Sequence, residues 1–125
     1  LRFQRTEILK VVILNSKNDI IKIKEVAVGG NHFIEIPIKD ILQEPIKMKA
    51  SKFILVHNHP TGDATPSQKD LDYTGRLMKA ANLVGIQLLD HIVIGDKTYT
   101  SIFDQIVKQA DTKKVDIKKR KEEKT

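Results

Sequence analysis

The stretch that most constrains this chain is residues 53–70, Phe-Ile-Leu-Val-His-Asn-His-Pro-Thr-Gly-Asp-Ala-Thr-Pro-Ser-Gln-Lys-Asp. The apolar run Phe53 to Val56 predicts a central strand, and it runs into His57 and His59. Side chains two apart in a strand share a face, so both imidazoles can point the same way. Pro60 and Gly62 then turn the chain. Thr65 is expected to N-cap a helix, with Pro66 as its first residue and Gln68 completing a Thr-x-x-Gln capping box. Ser67 and Asp70 lie three apart and share a helix face. Two imidazoles and one carboxylate, converging from a strand end and a helix start, are the donors of a catalytic zinc site whose fourth position is left to water. Each residue alone has a plainer reading. A bare His-x-His is more often a pair of loop histidines on a sheet rim. A carboxylate in a first turn suits the helix dipole. The long spacing pattern that joins them favours the metal.

That pattern is His57-x-His59, seven residues, Ser67, two residues, Asp70. It resembles the JAMM (MPN+) metalloprotease motif, and more closely its bacterial branch, RadC. His-Asn-His-Pro-Thr-Gly-Asp-Ala-Thr-Pro-Ser at 57–67 is similar to the RadC signature, as is Leu-Leu-Asp-His-Ile-Val-Ile-Gly at 88–95. The resemblance covers roughly residues 5–105. Asn58 stands where the wider JAMM pattern has Ser or Thr, and Asn there marks the RadC branch.

The resemblance implies an α/β fold of MPN type (cytidine-deaminase-like), a mixed, curved sheet of about five or six strands flanked by helices. It implies Zn²⁺ held by His57, His59 and Asp70, and a catalytic glutamate just ahead of the first hairpin. Glu7, in Arg5-Thr6-Glu7-Ile8, is the residue that matches; spacing alone does not separate it from Glu25 and Glu35. Ser67 would donate to the oxyanion. The implied reaction is water-mediated hydrolysis of a peptide or isopeptide bond in a protein substrate, without a covalent intermediate. Two rival readings are a non-catalytic MPN scaffold and a DNA-repair-associated binding module. Full-length RadC proteins carry a helical N-terminal region. The present chain, which starts at Leu1, is therefore read as a piece of a longer protein, with DNA or DNA-associated partners expected through that region.

Composition narrows the chemistry. At 125 residues the chain is sized for one domain with one core. It has no cysteine, so any metal must be held by His, carboxylate or water; this usage fits a cytoplasmic protein. No apolar run approaches the ~20 residues of a membrane span. The net charge is +6, but residues 111–125 hold seven Lys/Arg against four Asp/Glu, so half the excess lies at the C-terminus. Only Tyr73 and Tyr99 join four Phe as stacking candidates for nucleic acid. A nuclease would also gather several carboxylates for Mg²⁺, whereas this motif is rich in histidine.

The remaining chain reads as α/β. Ile8–Leu14 and Ile20–Val28 predict a hairpin across the turn residues 15–19. Ile38, Ile41, Leu42 and Ile46 suit one helical stripe, but Pro45 predicts a kink or two short turns. Leu71, Thr74, Leu77, Met78 and Ala81 give the motif helix a buried stripe, which Gly85 ends. Residues 86–95 and 98–100 predict strands. Asp90 and His91 would face opposite ways in a regular strand, and one of them is a candidate partner for a ligating histidine. His32, in a Gly-rich turn, needs no metal. Ser101 is expected to cap a last helix at 102–110. The domain is expected to span 1–110 and the basic tail 111–125. The tail offers Val115 and Ile117 to bury, worth ~3–6 kcal/mol, against ~1–2 kcal/mol per residue of ordering entropy.

Overall fold

A computed structural model describes residues 7–27 and 32–108. The expected domain end at 110 and the tail 111–125 lie outside the described residues. Five strands, β1 (Ile8–Leu14), β2 (Ile20–Ala27), β3 (Lys52–Asn58), β4 (Gln87–Ile94) and β5 (Tyr99–Ser101), form one sheet in the order β2-β1-β3-β4-β5. β3 and β4 run parallel and every other pair is antiparallel, so the sheet is mixed. Its helices are a 3₁₀ turn at Phe33–Glu35, α1 (Ile38–Lys47) and α2 (Gln68–Leu83), with a further helical stretch at 102–108. This is the mixed α/β architecture, a sheet flanked by helices, that the resemblance implies. No helix among the described residues is long and apolar enough to cross a membrane.

The hairpin forms where the turn residues predict it. Asn15 Oδ1 accepts from the N–H groups of Lys17 and Asp19, and Asn18 takes a left-handed φ of 67°. β1 then alternates, burying Leu9, Val11 and Ile13. Phe53 and Leu55 of β3 meet them across the antiparallel register. Ile41 and Leu42 of α1 and Leu77 and Ala81 of α2 close this core. β2 is a solvated edge, with Ile20, Ile21 and Ile23 exposed.

Three expectations are corrected. Residues 38–47 form one helix that runs through Pro45, not two short turns. Pro45 sits in the last turn, so the bond it cannot give to the Ile41 carbonyl is a single gap near the helix end that does not divide the helix. Its ring is buried with Ile41 and Leu42, and Ile46, expected in the stripe, is exposed. The second correction is the start of α2: the N-cap is Ser67, and the box partner is Asp70, not Gln68. Asp63 Oδ1 takes the Thr65 N–H at 2.9 Å, so Thr65 belongs to an Asx turn and the cap passes two residues on. Third, Tyr73 is buried, and its hydroxyl donates to the Ile36 carbonyl at 2.6 Å, so it offers no stacking surface.

β4 is not regular. Phe53 pairs with Leu88 but Ile54 pairs with Asp90, which leaves Leu89 as an extra residue. This bulge switches the faces of everything after it. Leu88 and His91, three apart, thereby both lie on the core face, opposite Phe53 and Leu55. Asp90 turns the other way and accepts from Ser101 Oγ and the Phe103 N–H, tying β4 to β5 and the stretch at 102–108.

Candidate metal centre

The site is built where β3 ends, α2 begins and β1 starts. His57 is still within β3, on the face that buries Phe53 and Leu55, and is itself fully buried. His59 lies just past the strand end. Its backbone N–H donates to the Ile94 carbonyl at 2.9 Å, and the Gly62 N–H donates back to the His59 carbonyl. The 59–64 loop is thus pinned to the end of β4. Gly95 makes this approach possible: a Cβ there would stand 2.3 Å from the Gly62 oxygen and 2.8 Å from the Ala64 nitrogen.

The capping box at the start of α2 does a second job. Ser67 Oγ accepts the Asp70 N–H at 3.1 Å, and the Ser67 N–H donates to Asp70 Oδ2 at 2.9 Å. The same Oδ2 lies 3.3 Å from His59 Nε2. One donor atom from each of His57, His59 and Asp70 falls within 4.8 Å of the others, as a single ion would require. Among the described residues this is the one such group of three.

Each histidine is oriented through its other ring nitrogen. His59 Nδ1 lies 3.0 Å from the Asp63 carbonyl, to which it donates, so Nε2 is the atom that faces Asp70. His57 Nδ1 lies 2.6 Å from His91 Nε2. His91 Nδ1 in turn lies 2.8 Å from Thr74 Oγ1. Phe33 stacks on His57 with centroids 4.3 Å apart and meets the edge of His91 at 5.0 Å. The remaining atom, His57 Nε2, is buried and, among the described residues, has no hydrogen-bond partner. A buried polar atom left bare is costly in a folded protein, and an imidazole nitrogen of this kind is a natural zinc ligand. The donor set, two imidazoles and a carboxylate, fits zinc.

The electrostatics agree. Burial pushes His91 down to about 3 and, with His91 and His59 adding to it, carries His57 well below the usual range, so both rings are neutral near pH 7. His59 is raised, chiefly by its hydrogen bond to Asp70. Burial works to raise Asp70, but the bonds from His59 and the Ser67 N–H outweigh it and leave its carboxyl lowered.

Glu7 precedes β1. Leu9 pairs with His57, and two more steps along that antiparallel register bring Glu7 beside His59. Its side chain is 8 % exposed; Oε1 accepts the Phe33 N–H at 3.1 Å, and Oε2 lies 3.6 Å from His32 Nδ1. Burial raises its carboxyl above the usual range, against the pull of the Phe33 N–H and His32. Its two rivals are elsewhere: Glu25 is exposed on the edge strand β2, and Glu35 is exposed beyond Phe33. Glu7, His32, His59, Pro60, Thr61, Ser67 and Asp70 line one cleft of about 240 Å³, and the fully buried His57 ring lies 4.9 Å from that of His59.

The structure therefore brings Glu7, His57, His59, Ser67 and Asp70 together. Sequence reasoning missed His32, which lines the cleft with its Nδ1 3.6 Å from Glu7 Oε2. No spacing signal links residues 25 apart that meet only when the hairpin folds back. It left His91 undecided against Asp90, because the bulge that chooses between them has no sequence mark.

The chain resembles known proteins over most of its length. Residues 1–108 match the family model of the RadC-like JAB domain. The chain is similar to UPF0758 proteins, 41% identical over 102 residues to one from Clostridium tetani and 42% over 102 residues to YsxA of Bacillus subtilis. A third, from Clostridium acetobutylicum, is 44% identical over 105 residues. These matches cover 82%, 82% and 84% of this chain but 45%, 44% and 46% of the relatives, so the chain spans less than half the length of the proteins it matches.

Proposed function

The chain belongs to the family of RadC-like JAB domains, and from that membership and its His57–His59–Asp70 cluster we propose that it is a zinc-dependent hydrolase of peptide or isopeptide bonds. The observation that carries this reading is the bare, buried Nε2 of His57 beside two further donors.

His57 Nε2, His59 Nε2 and an Asp70 oxygen would hold the ion. Zinc in such a site supplies a water of lowered pKa and a Lewis acid for the attacked carbonyl. Glu7 serves as general base, taking the proton of the attacking water and returning it to the leaving amine. Burial, by raising the Glu7 carboxyl, brings it closer to the working pH of a base that must also give the proton back. Ser67 Oγ has already accepted the Asp70 N–H, so its own proton remains to donate towards the negative charge growing on the carbonyl oxygen. Ser67 is exposed on the cleft wall, within reach of a substrate.

The test is metal content and peptidase activity together. The purified chain should take up one zinc, and His57→Ala with His59→Ala should abolish uptake. Glu7→Gln should retain zinc and fold yet lose hydrolysis by ~10²–10⁴-fold. A Glu7→Gln protein that keeps full activity, or a wild-type chain that takes up no zinc, refutes the proposal.

A further inference from the structure

We infer that His91, oriented by Thr74, is a positioning residue that fixes the tautomer of His57 and so keeps the Nε2 lone pair turned into the metal site. This rests on reading His57 as a ligand, and it adds a control element that lies wholly inside the core.

The proton positions follow by elimination along one hydrogen-bonded chain. Thr74 has a single hydroxyl proton, and it donates to the Asp70 carbonyl at 2.8 Å. Towards His91 Nδ1, also at 2.8 Å, Thr74 Oγ1 can therefore only accept, and His91 carries its proton on Nδ1. A neutral imidazole has one N–H, so His91 Nε2 is an acceptor. At 2.6 Å it accepts a hydrogen bond from His57 Nδ1–H. His57 Nε2 is then left unprotonated, and this is the atom that has no other partner. The opposite tautomer would place a proton on the atom that must bind metal.

Two features make the chain a built device. Thr74, His91 and His57 are all fully buried, so no water competes for these bonds. The bulge at Leu89 is what turns His91 onto this face; in a regular strand Asp90 would stand opposite Leu55 instead. The chain begins at the main-chain carbonyl of Asp70, so the helix turn that supplies one ligand also sets the proton on another.

Long-range ¹H–¹⁵N imidazole spectra of the metal-free chain read the tautomers directly, without zinc or activity. His57 and His91 should both be Nδ1–H; an Nε2–H signal for His57 overturns the inference. Cobalt titration of variants gives a second reading. His91→Leu removes the acceptor and should weaken binding by ~10–100-fold. His91→Gln should restore most of it, because an amide offers an acceptor and a donor at a spacing close to that of the two ring nitrogens. Equal affinity in wild type and a folded His91→Leu overturns the inference. If His91→Leu does not fold, the wild-type spectrum decides. A wild-type chain with His57 as Nδ1–H that binds no cobalt would refute the metal reading while leaving the tautomer relay standing.

Discussion

Asp70 Oδ2 faces His59 Nε2 across 3.3 Å while it also accepts the Ser67 N–H. Without a cation between them, this contact favours a proton on His59 Nε2, which is why its pKa is raised. Metal and that proton compete for the same atom. Zinc affinity should accordingly be full above the raised His59 pKa and should fall as pH drops below it, with a proton released on binding. Calorimetry in buffers of different ionisation heat counts that proton; a pH-independent affinity between about 5 and 8 would contradict the assignment.

The two buried rings act in the other sense on the metal-free fold. His57 and His91 have depressed folded values, His91 about 3. A histidine kept neutral by folding contributes stability that is complete above its unfolded pKa of about 6.5 and is lost as pH falls below it. His59, raised in the fold, and Asp70, lowered, offset part of this: the first adds stability on the acid side of about 6.5, and the second holds until pH nears about 3.9. Glu7, raised in the fold, also recovers stability as pH falls towards its unfolded value of about 4.5. The two fully buried rings, which cannot take up charge without losing their place in the core, outweigh these offsets and give a net loss. The melting temperature of the metal-free chain should fall from pH 6.5 to pH 4.5, and a flat profile there would show that the rings are not held neutral.

Ser67 carries two roles that substitution can separate. Ser67→Ala removes both the cap and the hydroxyl donor, costing ~0.5–2 kcal/mol of stability, whereas Gly at an N-cap costs only a few tenths. Ser67→Gly should therefore melt near wild type yet lose ~10²–10³ in kcat if the hydroxyl stabilises the transition state. Unchanged kcat in Ser67→Gly would reduce Ser67 to a helix cap.

Gly95→Ala tests the loop that sets His59. Its methyl would press on the backbone of Gly62 and Ala64, which have no flexible side-chain end to yield. Overpacking of this kind costs ~1–3 kcal/mol. The melting temperature should fall and zinc affinity should weaken with it. Loss of stability with unaltered zinc affinity would show that the loop relaxes without moving His59.

Local sequence determined the donors and their order. His57-x-His59 follows an apolar strand, and Asp70 stands three residues into a cap, so short-range periodicity and capping chemistry bring them near one another. The hairpin at 15–19 and the end of α2 at Gly85 are likewise written in turn residues whose preferences are local. Tertiary structure decided the rest, because those choices depend on competition between distant groups. The shift of the cap from Thr65 to Ser67 is an exception, made locally by Asp63, two residues before Thr65, whose side chain takes the Thr65 N–H. Pairing of β4 with β3 placed the bulge at Leu89 and so chose His91 over Asp90 as the partner of His57. The return of the hairpin set Glu7 beside His59 and brought His32 with it, 25 residues away in the chain. Residue spacing names the atoms a metal could use; only the packed core, by fixing where the neighbouring protons sit, decides which lone pairs are left to hold it.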